Sequence, residues 1–283
     1  MKQTNRLIIV ILILFFTSCR TITVREIKLD ETQPLKHNIE SLTATNINYT
    51  IKGKDTTKSE TVIIQYFDKK NNLIKQIDYY PKNRTHTTYF NYNSANLLVT
   101  TTSKNQDSID GMRCEYFYDK KNRVIESKNF YENESWKQKL TEYDSKGNRV
   151  MQRLNSSKPS STDWITLFKY NYKKRFFTYK TLDSNYVAKY KTGNKTYFDK
   201  RGYLIKSETY ANEELKNLTG CTTKKYDKAG NLMWRKSYGK DGKLKSESYY
   251  VNIYDSVGNI IQRDHYYENR VLETSKIVYK YRE

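Results

Sequence analysis

The stretch YDKAGNLMWRKSY, Tyr226 to Tyr238, decides the fold, because it holds a complete strand–turn–strand unit that recurs along most of the chain. An aromatic residue comes first, followed by an acceptor side chain, Asp227. Gly230, which tolerates left-handed backbone, comes next, and then two apolar residues, Leu232 and Met233, lead into an alternating run. Aligned on the aromatic, copies begin at Phe67, Tyr92, Tyr118, Tyr143, Tyr170, Phe198, Tyr226 and Tyr254, 25 to 28 residues apart. A period of this size marks a repeat architecture, in which each unit is one small motif that covers its neighbours.

The position after each anchor is Asp or Asn in all eight copies, a side chain that can accept hydrogen bonds from the turn ahead of it. Four positions after the anchor stand Asn71, Asn96, Asn122, Gly147, Gly202, Gly230 and Gly258, with Lys174 the one exception. Asn and Gly there fit a three-residue hairpin loop, a type I turn closed through a left-handed residue. That loop sets the register: the Asp pairs with the fifth residue and the anchor with the sixth, which is apolar in seven of eight copies. Lys174 predicts a distorted or longer turn. The seventh position is apolar throughout and is expected on the opposite face, so that both faces are covered near the turn.

About twelve residues past the anchor comes a second turn, as in Tyr79–Asn83, Tyr131–Asn133, Tyr210–Asn212, Tyr238–Gly242 and Tyr267–Asn269. Each repeat is therefore two strands and two turns. Composition agrees, since 27 Tyr and 10 Phe suit a pleated surface better than a helix. The formal charge of +20 has two readings. Lysines spread along strands keep edges from pairing with other chains, and they also attract polyanions or anionic membrane.

The N-terminus carries Lys2 and Arg6, then the uncharged run LIIVILILFF from Leu7 to Phe16, then Thr17, Ser18 and Cys19. This is the pattern of a secretory signal, and ten apolar residues are too few to cross roughly 30 Å of hydrocarbon as a helix. The ending FTSC resembles the lipobox of bacterial lipoproteins, with Phe16 where leucine is usual. The resemblance implies cleavage after residue 18 and lipidation of Cys19, with palmitate-type chains holding the body at a bacterial membrane, the outer rather than the inner. Residues 19–60 read as a polar tether and irregular first strands, and 61–283 as the repeat domain. Cys114 and Cys221 lie four and five residues ahead of their anchors, hence on opposite faces, and read as free thiols.

The phrases YDKKNRVIESKNFY (118–131), YDSKGNRV (143–150) and YDSVGNIIQRDHYY (254–267) resemble the YD repeats of the Rhs family, over roughly residues 61 to 283. In that family, hairpin arrays wind into a β-shell. YGKDGKLKSESYY (238–250) has a weaker likeness to MORN-type repeats of antitoxin and immunity proteins. The expected fold is all-β: tandem antiparallel hairpins forming one long, twisted and curved sheet, open or partly closed into a shell. Eight repeats favour the open form.

No catalytic constellation, metal site or cofactor motif is legible. His37, His86 and His265 are scattered, and no GxSxG, P-loop, GxGxxG or HExxH occurs. The recurring Asp reads as turn capping in preference to a cation ladder, which needs six to eight converging oxygens. Interleaved aromatics and lysines, as in FKYNYKK (168–174), can stack sugars or bases while the ammonium groups meet acids. Tyr80, Tyr131, Tyr238 and Tyr267, at the second turns, form the candidate binding surface. The expected function is a non-enzymatic, lipid-anchored envelope protein whose sheet serves as a binding or structural surface. Its expected partners are the membrane, a glycan or other acidic polymer, or a protein, with no specific nucleic acid. The alternative is an immunity or antitoxin-type protein that neutralises a toxin.

Overall fold

A computed structural model describes residues 38–52, 55–106, 111–131, 135–157, 163–183, 185–188 and 192–282. The signal peptide, Cys19 and His37 lie outside these. The chain starts with β1 (Ile39–Lys52) and β2 (Asp55–Phe67), followed by β3 (Leu73–Tyr80), β4 (Arg84–Tyr92), β5 (Leu98–Asn105) and β6 (Met112–Tyr118). The middle is β7 (Val124–Phe130), β8 (Trp136–Tyr143), β9 (Arg149–Ser156), β10 (Trp164–Asn171), β11 (Phe176–Leu182) and β12 (Gly193–Phe198). Last come β13 (Leu204–Tyr210), β14 (Leu218–Tyr226), β15 (Leu232–Gly239), β16 (Leu244–Tyr254), β17 (Ile260–Tyr267) and β18 (Arg270–Tyr281). Each strand pairs antiparallel with the next, and β18 returns to pair with β1 from Ile39↔Tyr281 to Asn48↔Glu273. The sheet is therefore not an open array but a closed barrel of 18 strands.

The hairpin turns are the ones the repeat dictates. In seven of the eight, the anchor pairs with the sixth residue, as in Phe67↔Leu73, Tyr118↔Val124 and Tyr226↔Leu232. The fourth-position residue has positive φ in those seven, from 60° at Asn122 to 95° at Gly230. The Asp carboxylate caps the loop: Asp68 Oδ1 accepts from the Lys70 amide at 2.8 Å and the Asn72 amide at 2.9 Å. Asp119, Asp144, Asp199 and Asp255 repeat the same two bonds.

Two features differ from the sequence expectation. The register slips by one residue just past each of these turns, for example between Tyr66↔Lys75 and Phe67↔Leu73. The seventh residue is the extra residue of a β-bulge, not a member of a second packed face. Ile74, Ile125, Met233 and Ile261 are accordingly exposed. Repeated bulges add twist and curvature, which helps a sheet to close. They also explain why anchors are mostly tyrosine, because the hydroxyl reaches back to the preceding repeat. Tyr118 Oη donates to the Leu98 carbonyl at 2.6 Å, Tyr143 Oη to Val124 at 2.8 Å and Tyr226 Oη to Leu204 at 3.1 Å.

The closure is a ninth unit made from the two ends of the array. Tyr279 lies 25 residues past Tyr254 and donates to the Ile260 carbonyl at 2.9 Å, as an anchor does, although Lys280 follows it in place of Asp. No turn joins β18 to β1. Instead, the Arg282 guanidinium donates to the Phe67 and Asp68 carbonyls, and Asn71 Oδ1 accepts from the Ile39 amide at 3.1 Å. Ile39, Leu42 and Phe67 pack beneath the seam against Leu73, Ile277 and Tyr279.

Among the described residues, no strand comes within 8 Å, Cα to Cα, of any but its two neighbours, so opposite walls do not pack on each other. Eighteen strands spaced about 4.8 Å apart and tilted about 40° enclose a diameter of about 35 Å. No described strand or turn fills the interior. Its stability rests on a ladder with no free edge and on cross-strand pairs, with only small apolar clusters at the turns.

Candidate functional site

Strand alternation and the register from strand to strand define the two faces of the wall. One face carries rows of small polar side chains, such as Gln65↔Gln76↔Thr88↔Ser103 and Thr141↔Gln152↔Thr166↔Thr181. Residues of this face from β8 to β14 line one common concavity of about 690 Å³. Seven adjacent strands can share a concavity only on the inner side of a curved wall, so this face is the lumen.

The concavity centres on β10–β11, the one hairpin that breaks the repeat. With Lys174 in place of Gly or Asn, the loop lengthens to four residues, Asn171 pairs with Phe176, and the left-handed residue moves to Arg175, at φ 53°. The bulge is lost and Tyr170 pairs with Phe177. The unslipped register brings aromatic rings together on the inner face: Tyr170 and Phe177 have centroids 5.3 Å apart, Phe168 and Phe177 6.1 Å, Phe168 and Tyr179 6.0 Å.

Around this aromatic floor stand Lys139, Arg149 and Lys224, and among the described residues that line it none is Asp or Glu. Arg149 takes the sixth position of its repeat, the only charged residue there, and its guanidinium lies 5.9 Å from the Phe168 ring centre. Lys206 borders the concavity, but its ammonium turns to Glu208 at 2.6 Å. Hydroxyl pairs complete the wall: Thr166 with Thr181 at 3.1 Å, Thr196 with Ser207 at 3.3 Å and Thr222 with Ser237 at 3.3 Å. In each pair one hydroxyl donates to the other; Thr166, Thr196, Ser207 and Thr222 are the members that line the concavity, with Thr166 and Thr196 themselves buried.

The four tyrosines singled out at the second turns do not form one site. Tyr131 lines a separate concavity of about 620 Å³ with His86, Ser103, Asn105, Met112 and Lys137. Tyr80 and Tyr267 are exposed at the ends of β3 and β17, and Tyr238 pairs with Cys221 on the outer face. Cys114 is buried on the luminal face and Cys221 lies on the other, both free, and burial pushes both thiols up. His86 Nδ1 lies 2.9 Å from Asn105 Oδ1, and His265 stacks on Tyr250 at 4.4 Å. No group of three or more metal-ligating side chains occurs among the described residues. The luminal residues the sequence reading missed are Lys139, Arg149 and Lys224, which register alone brings to the rings. The run FKYNYKK and the lysine at a glycine position were the visible signal.

The outer wall is charged along its length. Lys236 meets Glu247 across β15–β16 at 2.9 Å, and Arg113 meets Glu115 at 3.1 Å. Lysines also sit over outward rings: Lys128 lies 4.7 Å from Trp136, Lys195 4.4 Å from Phe176 and Lys75 5.7 Å from both Tyr66 and Tyr89.

No family model and no curated protein matches this sequence. Among solved structures, the chain is similar to a porin-like protein from Bacteroides uniformis, with 7% identity, a TM-score of 0.46, and coverage of 88% of this chain and 98% of that one. A porin-like protein from Bacteroides vulgatus gives 13% identity and a TM-score of 0.37 over 87% and 99%. The crystal structure of TcdB2-TccC3-TEV gives 9% identity and a TM-score of 0.29 over 78% of this chain and 15% of that one.

Proposed function

We propose that the chain is a non-catalytic envelope protein, tethered to a membrane through lipid on Cys19, whose barrel stands in water and binds its ligand on the luminal wall. The observation that carries this reading is the distribution of charge. A lysine or arginine facing lipid at mid-bilayer costs about 2–4 kcal/mol. The outward face carries Lys128, Lys180, Lys195 and Lys236 well inside their strands. Strands β3 to β15 have six to nine residues, at or below the roughly 9–11 that span a bilayer as a barrel. Lipid on the cysteine supplies the membrane affinity that such a wall cannot.

The test is partitioning. Wild-type protein labels with palmitate and sediments with membranes, whereas Cys19→Ala exported by an ordinary signal is recovered in the aqueous phase, folded. A Cys19→Ala protein that still resists extraction from the membrane contradicts the reading, because the wall itself would then be embedded.

A further inference from the structure

Resting on that reading, we infer that the concavity over β10–β11 is a binding site for an anionic oligosaccharide. At about 690 Å³ it has the size of an ordinary small-ligand site, room for a few sugar units and not for a polymer in bulk. Three features of its lining converge on this ligand. Lys139, Arg149 and Lys224 face it with no carboxylate among the described lining residues, so the net field favours sulfate, phosphate or uronate groups. The rings of Phe168, Tyr170 and Tyr179 lie on the same patch, packed around the buried Phe177, and offer apolar faces to the C–H faces of a sugar. The third feature separates sugars from nucleotides. The neutral polar groups of the lining, Asn148, Gln152, Thr166, Thr196, Ser207 and Thr222, outnumber the cations, and a hydroxyl can both donate and accept. A polyhydroxy ligand uses such a wall, whereas single-stranded nucleic acid is held mainly by cations along its backbone and by ring stacking.

The site also explains why the fifth repeat departs from the others. A three-residue turn at residues 171–176 would place a bulge at Phe177 and move that ring out of the register that joins it to Tyr170.

The test uses the whole mature chain in detergent and calorimetry with four probes: a heparin-derived hexasaccharide, a galacturonate hexamer, maltohexaose and a six-residue oligothymidylate. The expected result is one anionic hexasaccharide bound per barrel, weakened by salt, with maltohexaose at least about tenfold weaker. Lys139→Gln with Lys224→Gln lowers the affinity about tenfold or more, while Lys195→Gln with Lys236→Gln on the outer wall changes it less than about twofold. Should the luminal pair fail to fold, periodate-oxidised hexasaccharide coupled to the unaltered protein is expected to mark Lys139 and Lys224 ahead of Lys195 and Lys236. Equal loss or equal marking on the outer wall overturns the site. Preference for oligothymidylate or maltohexaose overturns the ligand class, and no binding of either acidic glycan overturns the proposal altogether. These outcomes leave the partitioning of Cys19→Ala, and with it the anchored-barrel reading, to stand or fall independently.

Discussion

Seven hairpins of this barrel obey one rule and the fifth, β10–β11, does not. In the seven, a capped three-residue turn and a bulge fix the register and curve the wall. In the fifth, a four-residue turn without a bulge lets four aromatic rings meet on the inner face beside Arg149. The regular units build the vessel, and the irregular one furnishes it. Mutations in the two kinds of hairpin should therefore separate stability from binding.

The largest contrast is expected at the left-handed turn position. A Cβ on Gly230 would lie 2.0 Å from the hydroxyl of Tyr203, a buried ring stacked on Tyr226, at a φ of +95°. Gly230→Ala should cost about 2–3 kcal/mol, read as a shift in the urea midpoint. Lys174→Gly, at the matching position of the fifth turn, should cost less than about 1 kcal/mol while weakening hexasaccharide binding if it restores the shorter loop.

Next is the cap. Asp227→Ala removes acceptors for the Asn231 amide at 2.8 Å and the Tyr254 hydroxyl at 2.8 Å, and should cost about 1–2 kcal/mol. Asn171 accepts from the Lys174 amide at 2.9 Å in a looser loop, and Asn171→Ala should cost about half as much. Smaller still is the anchor hydroxyl: Tyr118→Phe gives up the 2.6 Å bond to the Leu98 carbonyl, about 1 kcal/mol with the ring packing kept.

The pH profile sharpens the same contrast. The Arg123 guanidinium holds Asp119 at about 2. Asp68, Asp199, Asp227 and Asp255 are also held low: burial pulls them up, but hydrogen bonds from their own turns and neighbouring side chains outweigh it. Lowered folded values mean that these carboxylates stabilise the barrel above roughly pH 4 and lose that contribution as pH falls toward 2. Burial pushes Tyr116, Tyr226 and Tyr279 up to about 12. Their contribution is complete below roughly pH 10 and is lost as pH rises through 12. Thermal melting followed by circular dichroism should show a plateau between those limits. Asp227→Asn should flatten the acid side only, since Asn93 and Asn171 already serve two turns without a titrating group.

Much of the wall was legible in the sequence because hairpin closure is local. An Asp, a left-handed residue three positions later and an apolar sixth residue set the pairing of β2–β3 without reference to the rest of the chain. Even the exception was visible at Lys174. What depended on distant partners was not. Ile74 and its equivalents looked like a second core because a bulge places two apolar residues in succession. The seam was hidden because β1 has no anchor of its own and Tyr279 is followed by Lys280, so the ninth unit exists only when the two ends meet. The luminal site was half visible, the rings in FKYNYKK and the cations in strands that only the register brings beside them.

The closed wall and its lumen require β1 and β18 to meet, and one cross-link tests that. Thr43 and Val278 are partners across β1–β18. Paired Cα atoms in an antiparallel ladder lie about 4.5–5.5 Å apart, within disulfide range. In a Cys114→Ser, Cys221→Ser background, Thr43→Cys with Val278→Cys should oxidise readily to an intramolecular disulfide, with faster gel migration reversed by reductant. A pair that stays reduced in the folded protein, or links only between molecules, would mean that the sheet is open and the lumen does not exist.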